Sequence, residues 1–185
     1  LYHTRDLFEP GDGVWTAPYQ PPEAWADHHV PIGSGRVVRD GDDVLIVSWA
    51  NGLHLSLRAA RRLAANGVSC RVFDLRWLAP LPIDAVLAHA HEVGRVLVVD
   101  ETRHAGGVGE GVITGLVEGG YTGAFARVAA RDTFIPLGDA ANLVLVGEDD
   151  VVAAAESLAR RPAQPALPWA PPAGLPTASP YTHLL

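Results

Sequence analysis

Between residues 36 and 160, short apolar runs alternate with segments of helical periodicity. Residues 44–49 form a continuous apolar run, which is typical of a strand buried on both faces of a sheet. In the next segment, 50–67, apolar residues recur every three or four positions and arginines fall between them. This alternation indicates a parallel α/β sheet covered by helices.

The pattern predicts a three-layer α/β/α domain of five strands and four helices. Strands are expected at 36–39, 44–49, 68–74, 95–100 and 126–129. Helices are expected at 50–67, 82–93, 109–119 and 149–160. Taken alone, the turn at 40–43 suggests a hairpin between the first two strands.

The prolines divide the chain into three parts. Five of the fifteen lie in 1–35, three in 36–160 and seven in 161–185. We therefore expect an extended arm over 1–35, one compact domain over 36–160 and a Pro/Ala-rich tail over 161–185.

Composition excludes several classes of function. The 14 basic residues against 21 acidic ones give a net charge of −7, which argues against nucleic acid as a partner. All 14 are arginines, so no lysine Schiff base or P-loop lysine operates here. No apolar run approaches the roughly 18 residues of a membrane span. A lone cysteine excludes an internal disulfide and fits the cytoplasm. Without an apolar leader or an initial methionine, we expect a processed chain or a fragment with no signal peptide.

Candidate chemistry gathers after the predicted strand 95–100. Glu101, Arg103 and His104 follow it directly, at the edge where open α/β sheets place ligands. They could act as acid and base or clamp an anion, and they could equally form a solvated loop. Asn51 and His54 open a helix at the same predicted edge, where His54 could also be an ordinary surface residue.

The glycines Gly106, Gly107 and Gly109 open the predicted helix 109–119, where backbone amides could hold a phosphate. Their spacing does not match the G-x-G-x-x-G fingerprint of dinucleotide sites. Close packing of this helix on the sheet is the alternative explanation.

No metal site is expected. His89 and His91 lie about 200° apart on a helix, and the pair His28 and His29 falls in the proline-rich arm. Cys70 lies within a predicted strand and reads as a buried, inert thiol.

Five segments carry a resemblance to a known family. They are 72–82 (VFDLRWLAPLP), 95–101 (RVLVVDE), 106–109 (GGVG), 131–138 (RDTFIPLG) and 30–33 (VPIG). In order and sequence, they resemble the C-terminal domain of the transketolase-like thiamine diphosphate enzymes. The similarity covers about residues 1–160 and is greatest to the β part of the decarboxylating component of 2-oxo acid dehydrogenases.

The resemblance implies a five-stranded mixed sheet, mostly parallel, with the first strand antiparallel at an edge beside the third. That order contradicts the hairpin suggested by the turn at 40–43, and we follow the family order. In such enzymes, thiamine diphosphate and magnesium are held mainly by domains that this chain lacks. We therefore expect no cofactor on this chain alone. Gly11-Asp12-Gly13 matches a magnesium motif by chance, and Glu101 does not correspond to the activating glutamate.

The resemblance also implies a function. The chain would be an assembly and active-site-completing domain of an enzyme that decarboxylates pyruvate or a branched-chain 2-oxo acid and acylates a lipoyl group. Its expected partners are further copies, the remaining domains or α subunit, and the lipoyl acyltransferase. By itself it would be inactive. A nucleotide- or phosphate-binding module and a pure subunit-interaction domain are the alternatives.

Overall fold

A computed structural model describes residues 21–163 of the chain, which form a five-stranded sheet between two layers of helices. The strands are β1 (Arg36–Arg39), β2 (Val44–Ser48), β3 (Cys70–Asp74), β4 (Arg95–Arg103) and β5 (Ala124–Ala130). The helices are α1 (Ala50–Ala65), α2 (Ile83–Val93), α3 (Val108–Glu118) and α4 (Glu148–Ala159). Short 3₁₀ helices lie at Pro22–His28 and Gly138–Leu143.

The strand order is β1-β3-β2-β4-β5, with β1 antiparallel to β3 and the other pairs parallel. This confirms the mixed sheet with an antiparallel first strand, and the hairpin expectation is wrong. The turn bonds instead to the start of β3, where the Asp43 amide donates to the Ser69 carbonyl at 2.8 Å. Gly41 lies against the Cys70 backbone, since a Cβ there would be 2.3 Å from the carbonyl carbon. The turn therefore carries the chain past β3 to β2.

Several boundaries differ from the sequence-based expectations. β4 continues to Arg103, so Glu101 and Arg103 belong to a strand and not to the loop after it. The extra residues pair with β5 beyond an irregularity in register, where Arg103 faces Ala130. Periodicity gave no sign of this extension because the added residues are polar and mostly exposed. The helix α1 ends at Ala65, two residues before Gly67.

Two apolar clusters form the core, one on each face of the sheet. One packs α2 and α3 against the sheet, and the other packs α1 and α4 against the opposite face. All five residues of β2 are buried, as its continuous apolar run predicts. Cys70 is completely buried, as predicted, and burial raises the pKa of its thiol to about 11.

The predicted arm lies partly outside the described residues. Where it is described, it forms the 3₁₀ helix Pro22–His28 instead of a fully extended segment. After this helix, the chain passes over the loop that follows β3, where the Trp77 Nε1 group donates to the Val30 carbonyl at 3.4 Å. Residues 1–20 and 164–185, which include the glycine motif at 11–13 and most of the predicted tail, lie outside the described residues. The division into arm, domain and tail stays a prediction.

Among the helices of residues 21–163, none has the length and apolar character that crossing a bilayer requires.

Arg71 connects three parts of the fold. Its Nε donates to the Gly41 carbonyl at 3.2 Å, and its Nη1 lies 3.1 Å from His89 Nδ1 and forms an ion pair with Glu92. The guanidinium therefore joins the turn before β2, the strand β3 and the helix α2. The hydrogen bond from Arg71 lowers the pKa of the Glu92 carboxyl.

A carboxylate with a lowered pKa stabilises the fold only while it is ionised. We expect the stability difference between wild type and Glu92→Gln to be complete well above pH 4.3, about the unfolded pKa of glutamate. As the pH falls through the lower folded pKa, the difference should disappear. Because Glu92 is exposed, its size should stay below about 1 kcal/mol. Urea unfolding from pH 7 to pH 3 measures it. Glu118→Gln, at an exposed position at the end of α3, is the control at pH 7 and should change the free energy of unfolding by less than about 0.5 kcal/mol.

Candidate functional site

Two of the predicted site residues, His104 and His54, line depressions in the described surface. The α3–β5 groove, about 500 Å³, is lined by His104, Glu110, Ile113, Thr114, Phe125, Ala126 and Arg127. The β2–β3 groove, about 430 Å³, is lined by Trp49, Ala50, Leu53, His54, Asp74, Arg76 and Leu78. His104 and His54 therefore lie in different grooves. Asn51, Glu101 and Arg103 line neither of the two.

Asp100, which sequence reasoning did not select, organises the end of β4. Its side chain is completely buried. One oxygen, Oδ2, accepts the Gly109 amide at 2.8 Å, and Oδ1 accepts the Thr102 amide at 2.9 Å and the Thr102 hydroxyl at 2.7 Å. A carboxylate at this position satisfies an otherwise unbonded N–H group and matches the positive end of the α3 dipole. Asp100 therefore fastens α3 to β4.

The glycine cluster allows this close contact. A Cβ at Gly107 would lie 2.7 Å from Asp100 Oδ2 and 2.6 Å from Thr102 Oγ1, and one at Gly109 would lie 2.9 Å from the same Oδ2. The Gly106 amide donates to Glu110 Oε2 at 2.9 Å. Two amides that could hold a phosphate are thus bonded to the chain's own carboxylates. This geometry favours the packing explanation of the glycines over phosphate binding.

The usual ligand crevice of an open α/β sheet lies where helices from neighbouring strands leave on opposite faces. Here that point is between β2 and β4, because α1 and α3 pack on opposite faces. The Ser48 hydroxyl donates across it to the Val99 carbonyl at 2.9 Å. Gly52 lies directly over this bond, since a Cβ there would be 2.6 Å from Ser48 Oγ. Ser48 and Gly52 therefore pack closely together between β2 and β4 at this point.

Glu101, Arg103 and His104 do not form one cluster. Arg103 is exposed and donates through Nε to the Ala105 carbonyl at 3.1 Å. His104 is also exposed, and its Nδ1 lies 3.1 Å from Arg127 Nη2. In the described part of the chain, no hydrogen bond or ion pair joins Glu101 to Arg103 or to His104. The expected acid–base group is therefore not assembled in this structure.

Arg127 is the other residue that sequence reasoning missed. Its side chain is 13% exposed, and the Glu110 carboxylate comes no nearer than 3.8 Å. Arg127 is the only charged residue of β5, an apolar strand otherwise made of Ala, Phe and Val. A single charged residue inside an apolar strand was the sequence feature that could have identified Arg127 as a candidate.

The β2–β3 groove contains a buried carboxylate and strained backbone. Asp74 is 4% exposed and accepts the Arg76 amide at 3.1 Å. Arg76 and Ala50 have φ angles of 57° and 49°, in the left-handed region that disfavours side chains. Asp74 therefore holds the backbone of the loop after β3 in place.

Histidines and acidic residues do not gather into a metal site. Within residues 21–163, no three His, Cys, Asp or Glu side chains are close enough to hold a metal ion. His89 stacks near Phe73, with ring centroids 5.2 Å apart, and His91 meets Tyr121 at 5.6 Å. The two rings lie on different sides of α2, as their spacing predicts.

Replacing Asp100 tests its structural role. Asp100→Ala removes three hydrogen bonds to a buried carboxylate, so the free energy of unfolding should fall by about 2–4 kcal/mol. Urea unfolding provides the measurement. Asp84→Ala, in the exposed first turn of α2, is the matched control and should cost less than about 1 kcal/mol. Equal losses for both variants would contradict the role given to Asp100.

Comparison with known proteins places this geometry in a family. Residues 33–160 match the family described as transketolase, C-terminal domain. The pyruvate dehydrogenase E1 component subunit beta of Staphylococcus epidermidis is 34% identical over 134 residues, which are 71% of this chain and 41% of that protein. The Staphylococcus aureus subunit is 33% identical over 129 residues, 68% of this chain and 40% of that protein. The chain thus spans about two fifths of the length of these relatives.

Two solved structures are similar to this chain in fold. A split-gene transketolase, described as an inactive beta4 tetramer, superposes with a TM-score of 0.66 at 27% identity, over 80% of this chain and 47% of that one. A 2-oxoglutarate:ferredoxin oxidoreductase from Magnetococcus marinus shares the fold, with a TM-score of 0.50 at 14% identity, over 75% of this chain and 21% of that one. With the sheet order, the antiparallel β1 and the match over 33–160, the chain belongs to the transketolase C-terminal domain family.

Proposed function

We propose that this chain is the assembly domain of a thiamine diphosphate-dependent 2-oxo acid dehydrogenase. The parent enzyme would decarboxylate pyruvate or a branched-chain 2-oxo acid in the cytoplasm and transfer the acyl group to a lipoyl arm. Its partners would be the remaining domains or α subunit and the lipoyl acyltransferase. The chain alone would not turn over substrate. The pyruvate dehydrogenase relatives and their greater length support this proposal.

One observation carries the proposal: an apolar loop, residues 133–145, that the described domain leaves uncovered. Phe134 is 97% exposed, Leu137 is 96% exposed and Leu143 is 73% exposed. Burying such a side chain contributes about 1.5–3 kcal/mol, and a cluster of them on a surface marks an interaction site. A subunit or domain of the same enzyme would cover this loop.

The base of the apolar loop is fixed to the domain. The Arg131 amide donates to the Val144 carbonyl at 3.0 Å, which closes the loop. Asp132 Oδ1 accepts the Ala105 amide at 2.8 Å, which ties the loop to the segment before α3. A loop held at both ends presents its apolar side chains at little further entropic cost on binding. This supports a preformed contact surface.

The start of α3 is not arranged to receive the diphosphate of thiamine diphosphate. The amides of Gly106 and Gly109 at the start of α3 are bonded to Glu110 and Asp100, so a diphosphate would have to displace a carboxylate. The same geometry disfavours the nucleotide-binding alternative. We therefore assign the cofactor to other parts of the parent enzyme and derive no catalytic step here.

Cofactor titration separates an assembly domain from a ligand-binding one. Titrated calorimetrically with thiamine diphosphate and Mg²⁺, or with ATP and NAD, the full chain should give no heat of binding. A ligand that binds the chain would add about 2.7 kcal/mol of stability when present at 100 times its dissociation constant. Because we expect no binding, the temperature of thermal unfolding should not change. Stoichiometric binding of thiamine diphosphate would contradict the proposal, and binding of a nucleotide alone would support the alternative.

Substitution of the apolar loop tests assembly directly. A tagged form of the chain is purified from the cells that make it. The material that copurifies with it should release CO₂ from a 2-oxo acid. The double variant Phe134→Ser/Leu137→Ser should recover at least tenfold less activity, because it removes more than about 1.4 kcal/mol of contact.

Val117→Ser is the matched control and should recover as much activity as wild type, because Val117 is a 56% exposed apolar residue on α3, outside the loop. The free energies of unfolding of both variants should lie within about 0.5 kcal/mol of the wild-type value, since the substituted side chains are exposed. Undiminished activity with the double variant would exclude the loop as the contact.

A further inference from the structure

Arg127 is a mostly buried cation whose donors are only partly satisfied. Its Nη2 group lies 3.1 Å from His104 Nδ1, and the Glu110 carboxylate is 3.8 Å from the same nitrogen, beyond hydrogen-bond distance. Its Nη1 group is buried and has no hydrogen-bond partner within residues 21–163. A buried donor without an acceptor costs free energy, because it has lost its bonds to water. An acceptor from outside the chain would remove this cost.

Packing alone does not explain an arginine at this position. The rest of β5 consists of Ala, Phe and Val. Replacing a poorly paired buried charge with an apolar side chain of similar size is often neutral or stabilising. An apolar residue at 127 would therefore stabilise the domain at least as well as the arginine does. A role of Arg127 in binding accounts for the charge.

The α3–β5 groove surrounds this guanidinium with apolar walls. Phe125 and Arg127 lie two residues apart on one face of β5, and Ile113 faces them from α3. The groove has a volume of about 500 Å³, which is within the range of small-molecule sites. Phe125 is 37% exposed, so part of its ring is open to contact. The groove thus combines one cation with an aromatic and an aliphatic wall.

The charges in the groove favour an anion with a single negative charge. Among the described residues that line it, Arg127 is the only arginine, and Glu110 supplies a negative charge beside it. A doubly charged phosphate would be repelled by Glu110 more strongly than a carboxylate would. The two oxygens of a carboxylate also match two N–H groups of a guanidinium. Apolar walls favour a ligand whose remaining part is apolar.

We propose that the α3–β5 groove binds a small monocarboxylate with an apolar body. The carboxylate accepts hydrogen bonds from Nη1 and Nη2 of Arg127, and the apolar body lies between Phe125 and Ile113. The His104 side chain is exposed, so its ring can turn away from the guanidinium and open it to the groove. The groove contains no residue of the apolar loop, so this proposal and the proposed function can each fail without the other.

Titration of the isotope-labelled full chain with phenylacetate, followed by amide chemical shifts, tests the proposal. Phenylacetate should bind saturably and shift the amides of 113–114 and 125–127. Phenylacetamide has the same body without the charge, and acetate has the charge without the body. Each should bind at least about tenfold more weakly, and inorganic phosphate should not shift these amides. No saturable shift with phenylacetate, or equal binding of any comparison compound, would overturn the proposal.

Three variants test the role of the guanidinium. Arg127→Met should weaken phenylacetate binding at least about tenfold, and its urea midpoint should not fall, because the lost Nη1 donor has no partner in the described chain. Glu110→Gln should tighten binding about twofold, because it removes a competing negative charge and keeps an acceptor for the Gly106 amide. Arg160→Met, the same change at an exposed position after α4, should leave the affinity unchanged.

The Glu110→Gln result does not depend on how well Arg127→Met folds. Undiminished phenylacetate binding by Arg127→Met would overturn the proposal. Weaker binding by Glu110→Gln, or an equal loss of affinity in Arg127→Met and Arg160→Met, would overturn it as well.

Discussion

The bond between the buried Asp100 carboxylate and the Gly109 amide determines how this domain uses the carboxyl edge of its sheet. It holds α3 against β4 and requires glycine at 107 and 109, where a Cβ would strike the carboxylate. It also satisfies a backbone amide that could otherwise receive an anion. At the neighbouring crevice, the Ser48 hydroxyl bonds to the Val99 carbonyl. An edge that commonly binds ligands in this class of sheet therefore serves internal packing.

Two exposed features of the described domain are apolar. Phe134 and Leu137 project from a loop whose base is bonded on both sides, and β5 is an apolar strand at one end of the described sheet. Both are understandable in a domain that works within a larger enzyme, because such surfaces are stable once another polypeptide covers them. Under the proposed function, the chemistry would belong to other domains, and this one would contribute position and contact.

Sequence patterns predicted the buried strands well, because β2 and the first part of β4 are continuous apolar runs. The strand order needed the family resemblance: the turn at 40–43 suggested a hairpin, and only the long-range bond between Asp43 and Ser69 shows where the chain goes. Asp100 was missed because its bonds to Thr102 and Gly109, two and nine residues away, depend on how the chain turns from β4 into α3. Arg127 was missed because its neighbours His104 and Glu110 lie on other parts of the chain. The apolar loop could not be distinguished from core, since hydrophobicity is the same whether the chain covers it or a partner does.

We propose that other parts of the enzyme cover the apolar loop, and hydrogen exchange at residues 131–145 measures this coverage. Exchange should be compared in the isolated chain and in the assembled enzyme. We expect fast exchange near Phe134 and Leu137 in the isolated chain and strong protection after assembly, while the amides of β2 stay protected in both. Equal exchange of the loop in the two states would contradict the claim.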